Sequence, residues 1–305
     1  MIGFLKQQLE LLADDHPARK MTACINQGQV KFPCSACEDI CPQQVYSGTM
    51  GQNADFSACV NCNLCVSACP ARCIAPSALN ASAYLRTLRL PQAQIVVSAQ
   101  GGGHLNVPTL AALPWEFLAL LGMKKRVVLL MGRQTQEETE LLKKTLARLV
   151  VFFGSEGYRE RFVLAASMKD VPQVDRRALI QMAGDTIKSR LFPLQLGEDG
   201  GLMYRGLLHQ QMRDGKFGFP VPIVEASCTG CGVCAMLCPQ KAIRIKKDNG
   251  GFSVILDPLR CNGCGLCEKT CIERAISEMG VVCLEDMTPV RLFRKEKAEK
   301  ENCYQ

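Results

Sequence analysis

The chain has 305 residues, 48% of them hydrophobic, with 19 cysteines and a formal charge of +7; that is room for two or three domains with buried cores. The first twenty residues (MIGFLKQQLELLADDHPARK) have a short apolar start without the apolar stretch of a signal peptide. The best candidate span, Leu110 to Met131, is broken by Pro114, Glu116, Gly122 and Lys124 to Arg126, so no transmembrane segment is expected and a cytoplasmic, reducing setting is.

In chain order, residues 1–20 hold a short helix, Gly3 to Ala13, with Phe4, Leu5, Leu9, Leu11 and Leu12 on its apolar side. Residues 21–82 hold Cys24, then Cys34-Ser-Ala-Cys37-Glu-Asp-Ile-Cys41-Pro42, then Cys59-Val-Asn-Cys62-Asn-Leu-Cys65-Val-Ser-Ala-Cys69-Pro70. Between Gln94 and Ile223 there is no cysteine at all. There Gln94 to Ala99, Arg126 to Met131 and Arg161 to Ala166 read as buried strands, and Pro114 to Leu121 and Gln136 to Val150 as helices. This alternation predicts a small, doubly wound α/β domain over residues 92–172. Gly101-Gly102-Gly103 reads as a tight turn, because the dinucleotide fingerprint needs a glycine where Asn106 stands. His104 beside it is expected to be satisfied within its loop.

Residues 173–220 read as a helical linker, with helices at Asp175 to Phe192 and Leu202 to Asp214. In residues 221–285 strands are expected at Val221 to Val224, Ala242 to Lys246 and Gly251 to Leu256, with a hairpin turn at Asp248-Asn249-Gly250-Gly251. They frame Cys228-Thr-Gly-Cys231-Gly-Val-Cys234-Ala-Met-Leu-Cys238-Pro239 and a near-copy at Cys261, Cys264, Cys267 and Cys271. Residues 286–305 form a charged tail, with Arg291 to Lys300 expected as a solvated, frayed helix.

The runs agree beyond their cysteines. Four positions after each closing cysteine stand Val45, Cys73, Ala242 and Ala275, all small or apolar. Asp55 precedes Cys59 by four residues, as Asp257 precedes Cys261. Asn63, Gly232 and Gly265 follow the second cysteine and tolerate a positive φ. Two Cys-x2-Cys pairs with a spacer would serve zinc; three cysteines at x2 spacing with a closing Cys-Pro do not.

These runs resemble those of two-cluster bacterial ferredoxins, over about residues 20–80 and 222–280. The resemblance implies four 4Fe-4S clusters, with the closing cysteine of each run ligating the cluster of the partner run. The implied sets are Cys24, Cys34, Cys37 and Cys69; Cys59, Cys62, Cys65 and Cys41; Cys228, Cys231, Cys234 and Cys271; and Cys261, Cys264, Cys267 and Cys238. The first run departs from the pattern, since Lys31 occupies the leading position. Either Cys24 or Cys73 completes that set, and the match of Cys73 to Val45, Ala242 and Ala275 favours Cys24. Ile272 stands where the last run would have proline, and Cys73, Cys283 and Cys303 are left over.

The fold implied is two α+β ferredoxin-like domains flanking the α/β domain. Each oxidised cluster with its thiolates adds roughly −2, so the loaded chain is near neutral and no nucleic-acid partner is expected. The order strand, His-x-x-Val-Pro, Leu-Pro helix, strand in the middle domain faintly resembles the delta subunit of methyl-viologen-reducing hydrogenases. That family carries cysteines here and this segment none, which points to a frame with a docking face. The expected function is an electron-transfer subunit of a larger anaerobic oxidoreductase complex, without catalytic residues of its own, in the cytoplasm or peripheral to a membrane complex. Expected partners are a hydrogenase, a molybdenum or tungsten formate dehydrogenase, a flavin oxidoreductase or a heterodisulfide-reductase-like module. A self-contained oxidoreductase whose α/β domain binds a nucleotide or small substrate, and a scaffold with structural clusters, are the alternatives.

Overall fold

The computed structural model describes residues 15–26, 34–47, 53–172, 204, 206–208, 211–212, 217–284 and 288–296. The expected helices Gly3 to Ala13 and Asp175 to Phe192 lie outside these residues, as does Cys303; of Leu202 to Asp214, Tyr204, 206–208 and 211 are helical.

The two cysteine-rich regions share one strand plan. Strand β1 (Ala18–Arg19), entering the first run, pairs antiparallel with β4 (Ile74–Ala75), which leaves the second. Strands β2 (Tyr46–Ser47) and β3 (Asn53–Ala54), which leave the first run and enter the second, pair with each other. The C-terminal region repeats this with longer strands. There β9 (Phe217–Val224) pairs with β12 (Ile276–Leu284), and β10 (Ile243–Asp248) pairs with β11 (Gly251–Leu256). Asp248 faces Gly251 in register, so Asn249-Gly250 form the two-residue hairpin loop that this dipeptide favours.

Between the regions lies a parallel four-stranded sheet built from β5 (Gln94–Ser98), β6 (Leu105–Asn106), β7 (Arg126–Leu130) and β8 (Phe162–Ala165), in the order β6-β5-β7-β8. The β5-to-β7 crossover carries the helix Trp115–Lys124, entered at Pro114, and the β7-to-β8 crossover carries the helix Gln136–Arg161. The second helix is longer than its sequence pattern predicted. Thr135 and Glu138 close a capping box at its start, and it breaks at Gly154, whose φ of 72° leaves the helical region. Strand β6 lies on one edge, and from β5 through β7 to β8 the order advances in one direction, so right-handed crossovers into β7 and β8 put both helices on the same face. Ile95, Val97, Val127 and Leu129 pack with those helices, whereas Val96, Val128, Leu130 and Ala165 form a separate cluster on the opposite face. Among the described residues the sheet is thus wound on one side, where a doubly wound arrangement was expected.

The glycine turn forms as expected. Gly101 and Gly102 have φ of 87° and 74°, and Gly103 donates to Asn106 Oδ1 at 2.9 Å. His104 is tied to β5, its Nδ1 accepting from the Val96 amide at 3.0 Å. The tail is a correction: it is no helix over the described residues. Val290–Glu296 is a strand, β13, paired antiparallel with β11 so that Phe293 faces Val254 and Val290 faces Leu256. The Lys/Arg/Glu content favours a helix only weakly, and pairing with the open edge of β11 while Leu292 and Phe293 pack on the Val254 core outweighs it.

A single core runs through sheet and flanking elements, from Leu64 and Tyr84 through Trp115 and Phe117 to Phe219 and Leu284. Phe217 stacks on Phe152 with centroids 4.7 Å apart, and Gly218 lies so close to the long helix that a Cβ there would stand 2.2 Å from the Val151 carbonyl oxygen. On the other side Arg72, two residues before β4, reaches Glu116 at the start of helix Trp115–Lys124, with Nε 3.4 Å from Oε1. Both are buried, at 7% and 0% exposure, and Arg72 also donates to the Ser67 carbonyl at 2.7 Å. Removing one member of a buried pair strands the other charge. Glu116→Ala is therefore expected to cost about 3 kcal/mol in denaturant unfolding of the protein, and the double variant Arg72→Met/Glu116→Leu to recover most of it.

Candidate metal centres

Each closing cysteine is followed by the same turn. Three residues on, Gln44, Arg72, Lys241 and Arg274 have φ of 50°, 52°, 52° and 48°. Their amides donate to the carbonyls of Cys41, Cys69, Cys238 and Cys271 at 3.0 to 3.2 Å. One residue further, the amides of Val45, Cys73, Ala242 and Ala275 donate to the Sγ of those cysteines at 3.4, 3.4, 3.3 and 3.2 Å. That residue must be small or apolar because it points into the core, where all four are at most 5% exposed. Left-handed residues also surround the second cysteine of the three complete runs: Asn61 and Asn63, Gly230 and Gly232, Gly263 and Gly265. Backbone that curls this way turns its N–H groups inward, a cradle for negative charge.

The approach to each run repeats too. The amides of Asp55, Asp257 and Glu225 donate to the carbonyls of Val45, Ala242 and Ala275, and a tight turn then leads into Cys59, Cys261 and Cys228. Asp55 and Asp257 cap that turn, accepting from Ser57 and Leu259 at 3.0 and 3.1 Å. The same device precedes Cys24. Lys20 donates to the Cys73 carbonyl at 2.8 Å, and the turn Met21–Ala23 closes onto Cys24 at 3.0 Å. Cys24 is thus approached as the leading cysteines of the other runs are, and Asn26 joins it to Cys34. Its side chain, 5% exposed, donates to the Cys34 carbonyl at 2.6 Å and accepts from the Cys34 amide at 2.9 Å.

The cysteines come together from different runs. Cys41 meets Cys59, Cys62 and Cys65 around one cavity walled by Pro17, Tyr46 and Phe56. Cys238 meets Cys261, Cys264 and Cys267 around another, walled by Pro222, Ile243 and Leu266. A third brings together Cys24, Cys34, Cys37 and Cys69, and Cys73 lines it as well. Cys228, Cys231 and Cys234 are close enough that the first two raise the pKa of the third, after burial, which raises it most. Cys271 sits in its own closing turn with its sulfur on the Ala275 amide. Cys283 lies on β12 opposite Gly218 and is exposed, apart from these groups.

Burial pushes the thiols of Cys65, Cys264 and Cys267 up to about 12, 11 and 12. Metal loading there must release protons. In the third cavity burial raises Cys34 and Cys37 too, but hydrogen bonding with Cys73 draws Cys24 and Cys69 down, while Cys73 itself is pushed far up by the same contacts. Cations stand close by. Arg19 donates to Cys37 Sγ at 3.8 Å and also lies over the Tyr46 ring, and Lys295 donates to the Cys228 carbonyl at 3.2 Å.

Residues 227–275 match the family model of a 4Fe-4S dicluster domain, and residues 56–74 that of a 4Fe-4S binding domain. The chain binds 4Fe-4S clusters. No curated protein matches it. The donor chemistry fits: thiols ring largely apolar cavities, with amide N–H groups on the closing sulfurs. Cluster binding of this type implies electron transfer. Neither match reaches Cys24 to Cys41, where the repeat shows only in the turns. Sequence reading missed Asn26 and the Lys20 turn, although Lys20 stands four residues before Cys24 as Asp55 does before Cys59.

Asn26 closes the lengthened loop of the first run with two buried hydrogen bonds, each worth about 1–3 kcal/mol when a partner is left unmade. Asn26→Leu is expected to lower iron and labile sulfide per purified chain by the share of one site, and Asn26→Asp, which keeps the acceptor, by less.

Proposed function

We propose that this chain is an electron-transfer subunit carrying four 4Fe-4S clusters between redox partners. Its ligands are Cys24, Cys34, Cys37 and Cys69; Cys41, Cys59, Cys62 and Cys65; Cys238, Cys261, Cys264 and Cys267; and Cys228, Cys231, Cys234 and Cys271. Each cluster supplies a one-electron acceptor and donor. The protein contributes cradles that bind and orient, and apolar walls that keep water away.

One observation carries the relay. The two cysteine-rich regions meet directly, as Gln240 and Asn262 both donate to the carbonyl of Ala71, Gln240 at 3.0 Å. Ala71 lines the cavity of Cys24, Cys34, Cys37 and Cys69, and Gln240 and Asn262 line that of Cys238, Cys261, Cys264 and Cys267. Leu266 belongs to the same apolar core as Cys65 and Cys69. We take these two sites as the inner pair of a row of four, with those of Cys59 and Cys228 at its ends. Electrons cross from one region to the other without passing through the parallel sheet, whose role is to hold the regions in register.

The ends of that row carry exposed apolar side chains on the cluster loops themselves. Val60, beside Cys59, is 58% exposed, and Met236 and Ile272, beside the Cys228 group, are 67% and 80% exposed. They suit partner surfaces: on the reading offered here, a hydrogenase, a molybdenum or tungsten formate dehydrogenase, a flavin oxidoreductase or a heterodisulfide-reductase-like module of an anaerobic complex. Among the described residues no helix is long and apolar enough to cross a membrane.

Anaerobically purified protein is expected to contain four 4Fe-4S clusters by iron, sulfide and electron paramagnetic resonance. Cys24→Ser is expected to lose one cluster's worth of iron and Cys73→Ala none; the reverse pattern would overturn the assignment. For the relay, Asn262→Leu is expected to keep full iron while weakening the magnetic coupling between the two inner sites in the reduced protein. Coupling and iron both unchanged would remove the support for a path at Ala71.

A further inference from the structure

The first site differs from the other three in one side chain. The residue four positions after the closing cysteine is Val45, Ala242 or Ala275 elsewhere, none able to donate a hydrogen bond, and Cys73 here. Cys73 is 5% exposed and lines the cavity of Cys24, Cys34, Cys37 and Cys69. Its Sγ lies 3.5 Å from Cys69 Sγ, within hydrogen-bond reach, and its amide donates to the same sulfur at 3.4 Å. The Lys20 amide on its carbonyl at 2.8 Å holds the backbone in place. The closing sulfur of this site therefore faces two donors from one residue, where each of the other three has only the amide from the equivalent position.

We infer that Cys73 is a positioning residue whose S–H donates to the Cys69 sulfur of the first site, setting that site's reduction potential above the potentials of the others. Hydrogen bonds to cluster sulfurs stabilise the more negative, reduced state and so raise the potential. Two observations separate this role from ligation. Cys73 stands where the sister turns carry residues that cannot ligate, and its sulfur lies at hydrogen-bond distance, 3.5 Å, from that of Cys69. An inner site of raised potential would hold an electron in transit between the two regions.

The inference rests on the assignment of Cys24, Cys34, Cys37 and Cys69 to one site, and the test separates the two. Full-length Cys73→Ala and Cys73→Ser would be purified anaerobically, assayed for iron and sulfide, and titrated with dithionite under electron paramagnetic resonance. Alanine already occupies this position in two of the sister turns, so the turn itself is preserved. The expected result is full iron in both variants, with one of the four components of Cys73→Ala shifted to more negative potential. Cys73→Ser, which keeps a hydroxyl donor, is expected to stay closer to the wild-type protein. Full iron with an unshifted titration in Cys73→Ala would overturn the inference and leave the ligand assignment standing. Iron lost from both Cys73 variants but retained in Cys24→Ser would make Cys73 a ligand and overturn both.

Discussion

The turn after each closing cysteine is the constraint on which the rest of this protein depends. A sulfur that shares a buried, negatively charged site needs N–H groups aimed at it, and here the backbone aims them by passing through the left-handed region. Gln44, Arg72, Lys241 and Arg274 make that passage without glycine's freedom. The small or apolar residue that follows anchors the turn by burial. In both regions the same residue's carbonyl then accepts the amide at the approach to a cysteine run. One turn therefore sets the closing cysteine, a hydrogen bond to its sulfur, a core contact and the chain's route into the next run.

That economy leaves each cysteine-rich region with little apolar core of its own, and the middle sheet supplies what is missing. Arg72 serves a closing turn on one side and, through Glu116, the helix Trp115–Lys124 on the other. At the far end the aromatic contacts of Phe152 with Phe217 and Phe219 seat β9 on the long helix. Fixing both regions on one rigid frame holds the Ala71 carbonyl within reach of Gln240 and Asn262. The middle domain's glycine turn is closed on itself by Asn106 and by Ser98, whose hydroxyl donates to the Gly101 carbonyl at 2.8 Å.

The excess of positive charge takes on a local meaning in the same frame. Arg19, Arg72 and Lys295 lie against cysteines or their carbonyls. Cations held this close stabilise thiolate and cluster charge far better than the same charges spread over the surface, because the low-polarity surroundings screen them less.

Features decided by neighbours in the chain were readable from the sequence: the cysteine spacing, the left-handed Asn63, Gly232 and Gly265, the Asn249-Gly250 hairpin, the buried strands of the middle sheet and the start of the long helix at Gln136. Each depends on steric or hydrogen-bonding preferences within a few residues. What only the tertiary structure decided involves partners far apart in the chain. The Val290–Glu296 segment became a strand because β11 had an open edge, and among the described residues the two crossover helices share one face because β5, β7 and β8 follow one another in a single direction across the sheet. Cys24 was returned to its run by Asn26, and Ala71 met Gln240 and Asn262 across 169 and 191 residues. No local pattern encodes such contacts, since their stability comes from burial and pairing that exist only once the chain has folded.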